Sequence, residues 1–355
     1  MLSRADITKF DPNGAAEVNG HMFGLPLQAY ECNLILLPVP WEATTSYGRG
    51  TAGGPAAILE SSPQLDLFDA ELGQLGLSRP WEFGIYLELE DAWLRKANRK
   101  ACKLALPIIE QGGRIDDQPK LLKALAKIND LSAQVNEWVA QRTRDWRSQG
   151  KIVGLVGGEH STPFGAIRTL AEEFPGLGVL QIDAHADLRE NYEGFEHSHA
   201  SVMFNVATQT AVTKIVQVGV RDYSEGEYMM ATTHPKLHTY FDFQLKDRLF
   251  AGETWQTLCQ EIVAQLPEHV YVSFDIDGLE PALCPNTGTP VPGGLRFGEA
   301  TYLLKSLLLA GKKIVGFDLN EVAPGRRGDE WDGNVGARIL YKLCGLALYS
   351  AGARD

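Results

Sequence analysis

The sequence predicts an α/β protein: a mostly parallel sheet with helices on both faces. Two observations carry this prediction. Short apolar runs alternate with longer amphipathic stretches over most of the 355 residues, the pattern of successive β-α units. Four of those runs end in polar, metal-competent residues, and open parallel sheets carry their functional groups outside the carboxyl ends of the strands. A composition of 44% hydrophobic and 22% charged residues is globular, and the length suits one large α/β domain or two ordinary ones.

Taken in order, residues 1–32 read as an N-terminal extension, and residues 33–355 as a single domain. Its first strand is the apolar run Leu34–Val39, followed by a helix over Gly54–Ser61. The rhythm then breaks between about 87 and 150. A Leu/Ala/Lys-rich region, a turn at Gly112 and Gly113, and a long helix over 118–148 read as a helical elaboration, since no Pro/Gly/Ser linker marks a boundary. Beyond it, strands are expected at 152–156, 178–183, 214–218, 237–241, 269–274 and 312–318. Helices are expected between them, at 163–173, 201–207, 254–266, 297–310 and 334–349.

The formal net charge of −12 argues against nucleic acid or an anionic membrane as partner and is compatible with a small cationic substrate. No apolar run reaches the roughly 20 residues of a membrane span, and the start, MLSRADITKF, lacks the apolar stretch of a signal peptide. Cys32, Cys102, Cys259, Cys284 and Cys344 are odd in number, far apart and in no CxxC pair. They fit reduced thiols in a cytoplasmic protein better than a disulfide framework or a cysteine-zinc site.

The chemistry sits at the four strand ends. Strand 152–156 runs into GGEHS (157–161), the next into DAHAD (183–187), strand 269–274 into DID (275–277), and the last into NEVAP (320–324). Alternate side chains of an extended chain point to one side, so Asp183, His185 and Asp187 gather two carboxylates and an imidazole there. Such acids repel unless a cation lies between them. His160, His185, Asp183, Asp187, Asp275 and Asp277 together supply two neutral imidazoles and four negative charges, which two divalent ions balance. Carboxylate and imidazole donors suit manganese, iron, nickel or zinc better than calcium. Paired metals also have a catalytic use, making hydroxide available at neutral pH to an electrophilic carbon.

GGEHS, DAHAD, SFDIDGLEP (273–281), TGTPVPGGL (287–295) and DLNEVAP (318–324), in this order, resemble the ureohydrolase family of arginase and agmatinase. The likeness runs from about Leu34 to the C-terminus and is poor over 87–150. It implies a three-layer α/β/α fold and a binuclear site, usually manganese and in some members nickel, that hydrolyses a guanidine to an amine and urea. Carried over by position, His160, Asp183, Asp187 and Asp275 would hold one metal, and His185, Asp183, Asp275 and Asp277 the other. Glu321 stands where the family has a carboxylate facing the guanidinium, a pairing that suits a planar fork of N–H donors. A histidine that passes protons to the leaving amine is expected at His199 or His197, with His199 preferred because Ala200 and Ser201 follow it into a helix. The resemblance also implies a homo-oligomer, a trimer or hexamer.

The departures bear on the substrate. Glu159 replaces the family's usual aspartate and should adjust the surroundings of His160. Arg189 and Ser224 stand where arginases use an asparagine and an aspartate to hold the amino-acid end of arginine, so free arginine is disfavoured. Arg189 is either an exposed loop cation or a pocket residue that would favour guanidino acids over agmatine. The glycine-rich SYGRGTAGGP (46–55) lacks the GK[ST] ending of a phosphate loop and reads as an entrance to the site, and there is no GxSxG. An agmatinase-like activity ranks first, ahead of guanidine, guanidino-acid and arginine hydrolysis; formiminoglutamase is disfavoured. The alternatives outside that class are a non-catalytic subunit of the same fold and a single-zinc deacetylase.

Overall fold

Eight strands form one sheet in the computed structural model, which describes every residue except 1, 6, 8, 9, 15–20, 327 and 328. They are β1 (Leu34–Val39), β2 (Ile85–Leu87), β3 (Ile152–Gly157), β4 (Gly178–Ile182), β5 (Lys214–Val220), β6 (Leu237–Phe241), β7 (His269–Asp275) and β8 (Lys313–Asn320). All their pairings are parallel. The order across the sheet is β2-β1-β3-β8-β7-β4-β5-β6.

β1, β3 and β4 are buried along their whole length, which is why they read as continuous apolar runs and not as alternating ones. Their side chains still divide by parity: Leu180 and Ile182 join the core on one face, Leu177 and Val179 the core on the other. Helices Gly54–Ser61, Trp255–Ala264, Phe297–Leu309 and Trp331–Ser350 cover the first face. Pro119–Arg147, Phe164–Glu173 and Val202–Gln209 cover the second. The result is the expected three-layer α/β/α arrangement.

The region 87–150 is helical as expected, with Ala92–Ile109 and Pro119–Arg147 joined through a turn in which Gly112 and Gly113 take φ of 58° and 75°. It also carries part of the site. Ile108, Ile115 and Ile128 enclose Phe195, and the Asn129 amide bonds both Gly194 O and Glu196 N at 3.2 Å, clamping the loop after β4. The extension is tied down ahead of β1, where Met22, Phe23, Leu25 and Leu27 are buried in the core.

Among the described residues, four elements differ from the sequence-based expectation, one of them the single-turn helix Ala70–Gly73. β2 is three residues long and paired only to β1 at the sheet edge, too short for a periodic signal. Helix Asp242–Phe250 follows β6 without a break, so no turn residue announces it. Helix Glu225–Thr233 does have a signal, the Ser-x-x-Glu of a capping box at Ser224 and Glu227.

Candidate metal centre

The sheet order brings the four motif-bearing strand ends side by side. β3, β8, β7 and β4 are consecutive neighbours, although their sequence order is β3, β4, β7, β8. The chain leaves β3, skips two strand positions to β4, and later returns to fill them. That places the motifs at the reversal in strand order, where open α/β sheets form their crevice. Register adds detail: Asp275 pairs with Asn320 and Val156 with Leu319, so Glu321 emerges beside the GGEHS loop and donates its N–H to Gly158 O at 2.8 Å. Gly158 is required there, because a Cβ would lie 2.1 Å from Trp41 O.

His160 lies at the centre. Its Nδ1 is 2.8 Å from Asp183 Oδ2, 3.0 Å from Asp187 Oδ2 and 3.3 Å from Asp275 Oδ2. Its Nε2 is 2.9 Å from Ser273 Oγ, which donates to Asp318 Oδ1 at 3.1 Å. With the Ser273 hydroxyl donating to Asp318, the Nε2–H donates to Ser273. A neutral ring then turns its Nδ1 lone pair toward three carboxylate oxygens. Only a positive charge there, a proton in the metal-free protein or a metal ion, makes that stable. Asp187 Oδ2 is buried without a hydrogen-bond partner. Separations near 3 Å are those expected of neighbouring ligand atoms each about 2.1 Å from one ion.

Next to it, His185 Nδ1 lies 3.1 Å from Asp277 Oδ2 and 3.6 Å from Asp183 Oδ1. Two groups could therefore each hold an ion, His160–Asp183–Asp275 and Asp183–His185–Asp277, with Asp183 common to both. The donor set is all imidazole and carboxylate, which fits the divalent metals named above and not a structural thiolate zinc.

Backbone and side chains hold the ligands in place. Asp183 Oδ1 accepts the His185 N–H at 2.6 Å, Asp275 Oδ1 the Asp277 N–H at 2.9 Å, and Asp277 Oδ1 the Ala184 N–H at 3.0 Å. Gln181 donates to Asp183 Oδ2 at 2.7 Å and is itself bonded by Gln217, which Thr239 bonds in turn, a buried polar chain across β4, β5 and β6. Arg221 reaches from the end of β5 to the carbonyls of Asp277 (2.6 Å), Leu279 (3.1 Å) and Val291 (3.0 Å), tying the DID and TGTPVPGGL loops together. Asp187 and Glu321 have φ of 53° and 61°, a left-handed conformation uncommon for non-glycine residues and concentrated at functional sites.

The metal-free electrostatics reflect the same crowding. Burial pushes Asp187 up to about 7, with Asp183 adding to the shift. Burial, Asp277 and Asp183 likewise raise Asp275 well above the usual carboxylate range. Burial opposes charge on His160 and His185, but their carboxylate neighbours outweigh it and hold both well above an ordinary histidine. Asp183 is buried, which opposes its charge, yet the neighbouring His160 and His185 hold it below the usual carboxylate range. Glu321 is buried, accepts the His160 N–H at 2.9 Å through Oε1, and is raised by burial and by the charge of Glu159.

Above the ligands opens a cavity of about 230 Å³, lined in part by His185, Asp187, Arg189, His199, Asp222 and Glu227. His199 lies on its wall. His197 does not; it packs against Phe164 and next to Asn205. Burial and the nearby cationic groups lower His199 to about 4. Arg189 faces the cavity but is not a free cation. Its Nε lies 3.3 Å from Glu227 Oε2, and its guanidinium stacks 4.8 Å from the Tyr192 ring centre. Ser224 also lines the cavity, but its hydroxyl is committed to Glu227 as the cap of helix Glu225–Thr233. Sequence reasoning did not single out Glu227, Asp222, Tyr192, Ser273 or Arg221. Only Glu227 had a readable signal, the capping box.

The entrance segment also meets the site. Ser46 lines the cavity, and Gly48 N–H bonds Gly288 O at 3.0 Å, so close that a Cβ on Gly48 would lie 2.6 Å from that oxygen.

A family model described as the arginase family matches residues 32–345. An N(1)-aminopropylagmatine ureohydrolase of Synechocystis is 30% identical over 316 residues, 88% of each chain. The agmatinase of Pyrococcus horikoshii is 26% identical over 89% of this chain and 93% of its own. Among solved structures, the agmatine ureohydrolase of Thermoplasma volcanium superposes with a TM-score of 0.69 at 22% identity, covering 92% of this chain and 94% of the other, a likeness of fold. On the match over 32–345, the chain belongs to the arginase family of ureohydrolases.

Proposed function

We propose that this protein hydrolyses a small guanidino compound with a cationic tail to an amine and urea, an agmatinase-like activity, using two divalent ions. The observation that carries the reading is His160, with Ser273 on Nε2 and three carboxylate oxygens converging on Nδ1. His160, Asp183, Asp187 and Asp275 would hold one ion, and His185, Asp183, Asp275 and Asp277 the other; manganese is the proposed metal and nickel the alternative. The chemistry such a pair would supply is water of lowered pKa, available as hydroxide near neutral pH.

The chain's own residues do the rest. Glu321 Oε1 is engaged by the His160 N–H, which leaves the other carboxylate oxygen to orient the guanidinium N–H groups. His199 is neutral at physiological pH, so it can accept a proton and return it to the departing amine. On the cavity wall, Glu227 neutralises Arg189 while Asp222 remains largely solvent-exposed, 4.0 Å from His185 Nε2. That balance favours a positive tail over a carboxylate. The same charge class is implied by the relatives named for agmatine and aminopropylagmatine.

We also propose a cytoplasmic homo-oligomer, trimer or hexamer, with residues 1–32 as an extension of one domain. Unpaired cysteines support the compartment. Urea release from agmatine, arginine, guanidinobutyrate, guanidinopropionate and guanidine, each with manganese and with nickel, tests the activity. Agmatine should be turned over best, and no urea from any combination overturns the proposal.

A further inference from the structure

The geometry points to Glu159 as a positioning residue for His199, acting through the hydroxyl of Thr44. Glu159 is where the chain departs from the family's GGDHS, and its carboxylate turns away from the metal ligands. It is fully buried. Oε2 accepts the Thr44 N–H at 2.8 Å and the Thr45 hydroxyl at 3.3 Å, while Oε1 accepts the Ser161 hydroxyl at 2.7 Å. Thr44 Oγ1 in turn accepts the His199 N–H at 3.1 Å and lies 3.2 Å from His199 Nδ1. Backbone and ring of His199 therefore hang on a single hydroxyl, whose own backbone is held by Glu159. With Nδ1 engaged by Thr44, Nε2 is the nitrogen left for the cavity, and Tyr192 braces the ring edge-on at 5.7 Å.

The link joins three loops distant in the chain, those after β1, β3 and β4. A buried carboxyl group that accepts several hydrogen bonds is a strong way to fix their relative positions. The extra methylene matters, since aspartate at 159 would reach about 1.5 Å less far and open a gap at the Thr44 N–H. A displacement of that size at a proton-transferring group costs on the order of a hundredfold in rate.

This inference rests on the proposed activity for its kinetic arm only, and a second arm stands without it. In the metal-loaded full chain, Thr44→Val should lower kcat about ten- to a hundredfold with KM and bound metal unchanged, and Thr44→Ser should restore it. In a His199→Asn background, Thr44→Val should cost less than about twofold, since the residue it acts through is gone. Losses that multiply, failure of Thr44→Ser to restore, or loss of metal in Thr44→Val overturn the inference. Amide hydrogen exchange supplies the other arm. Glu159→Asp should speed exchange at residues 44 and 199, and Thr44→Val at residue 199. Unchanged exchange in Thr44→Val overturns the link whether or not urea is made, and that variant decides if Glu159→Asp does not fold. Wild-type protein that releases no urea sinks the proposed activity and leaves the exchange result to judge the link.

Discussion

Arg189 Nε lies 3.3 Å from Glu227 Oε2 on the cavity wall, so the one arginine that lines the cavity among the described residues is already neutralised. Glu227 also accepts the Leu188 N–H at 3.3 Å and the Ser224 N–H at 2.9 Å, so it is fixed before any ligand binds. Glu227→Gln should leave an uncompensated cation beside the cavity. The ratio of kcat/KM for agmatine to that for guanidinobutyrate should then fall roughly tenfold, about what one near-surface charge interaction supplies. An unchanged ratio in parallel urea assays would show that the pair does not set charge preference.

Ser273 determines which nitrogen of His160 faces the carboxylates. Ser273→Ala removes the hydroxyl 2.9 Å from Nε2 and frees the ring to change tautomer. Metal affinity should drop about 10- to 100-fold, read by titration of the metal-free protein. Equal affinity would mean that the tautomer is fixed elsewhere.

Asp277 belongs to the His185 group and not to the His160 group. Asp277→Asn should reduce bound metal from two ions to one per chain, measured by elemental analysis. Urea release should fall on the order of a thousandfold, equivalent to several kcal/mol of barrier. Two ions retained in the variant would contradict the assignment of Asp277 as a ligand.

Chelation should destabilise the fold, because the ligands come from three strand ends and their metal-free charges are unbalanced. An ion present at a hundredfold excess over its Kd contributes about 2.7 kcal/mol. Thermal unfolding should shift downward after chelation and recover on adding manganese. An unchanged Tm would mean that these side chains bind no ion tightly.

Acid sensitivity should appear away from the centre as well. Glu71 is partly buried, which opposes its charge, but ion pairs with Lys305 at 2.7 Å and Lys342 at 3.1 Å hold its pKa below the usual glutamate value. The unfolded chain therefore takes up this proton first. The contribution is full above the ordinary glutamate range and is lost as pH falls through the lowered value. Since the group is one-third exposed, solvent screening keeps the effect small. Urea denaturation of wild type and Glu71→Gln at pH 7 and pH 4 should differ more at pH 7. An equal difference at both pH values would count against the pairing.

The candidate ligands were legible in the sequence because each motif is local. Asp183, His185 and Asp187 need only alternation within one segment, and Asp275 and Asp277 only a strand end. Ser273, Arg221 and Tyr192 were not, because a serine inside an apolar strand or an arginine after one has many uses. Their roles come from partners 113, 56 to 70 and 7 residues distant. His197 and His199 lie two residues apart in one loop, and only the packing of that loop against Asn129 and Thr44 decides which ring meets the cavity.

By itself, then, the sequence determined the β-α alternation, the candidate metal-binding residues and the charge count from which two ions are proposed. These depend on residue type and short-range periodicity. The tertiary structure decided that β8 and β7 fill the space between β3 and β4, which converts four separate strand ends into one cage. It also decided that Arg189 pairs with Glu227 and that Ser224, on the cavity wall, caps helix Glu225–Thr233. Strand order and salt-bridge partners depend on which distant surfaces pack together, a property of the whole chain's burial and not of any short segment.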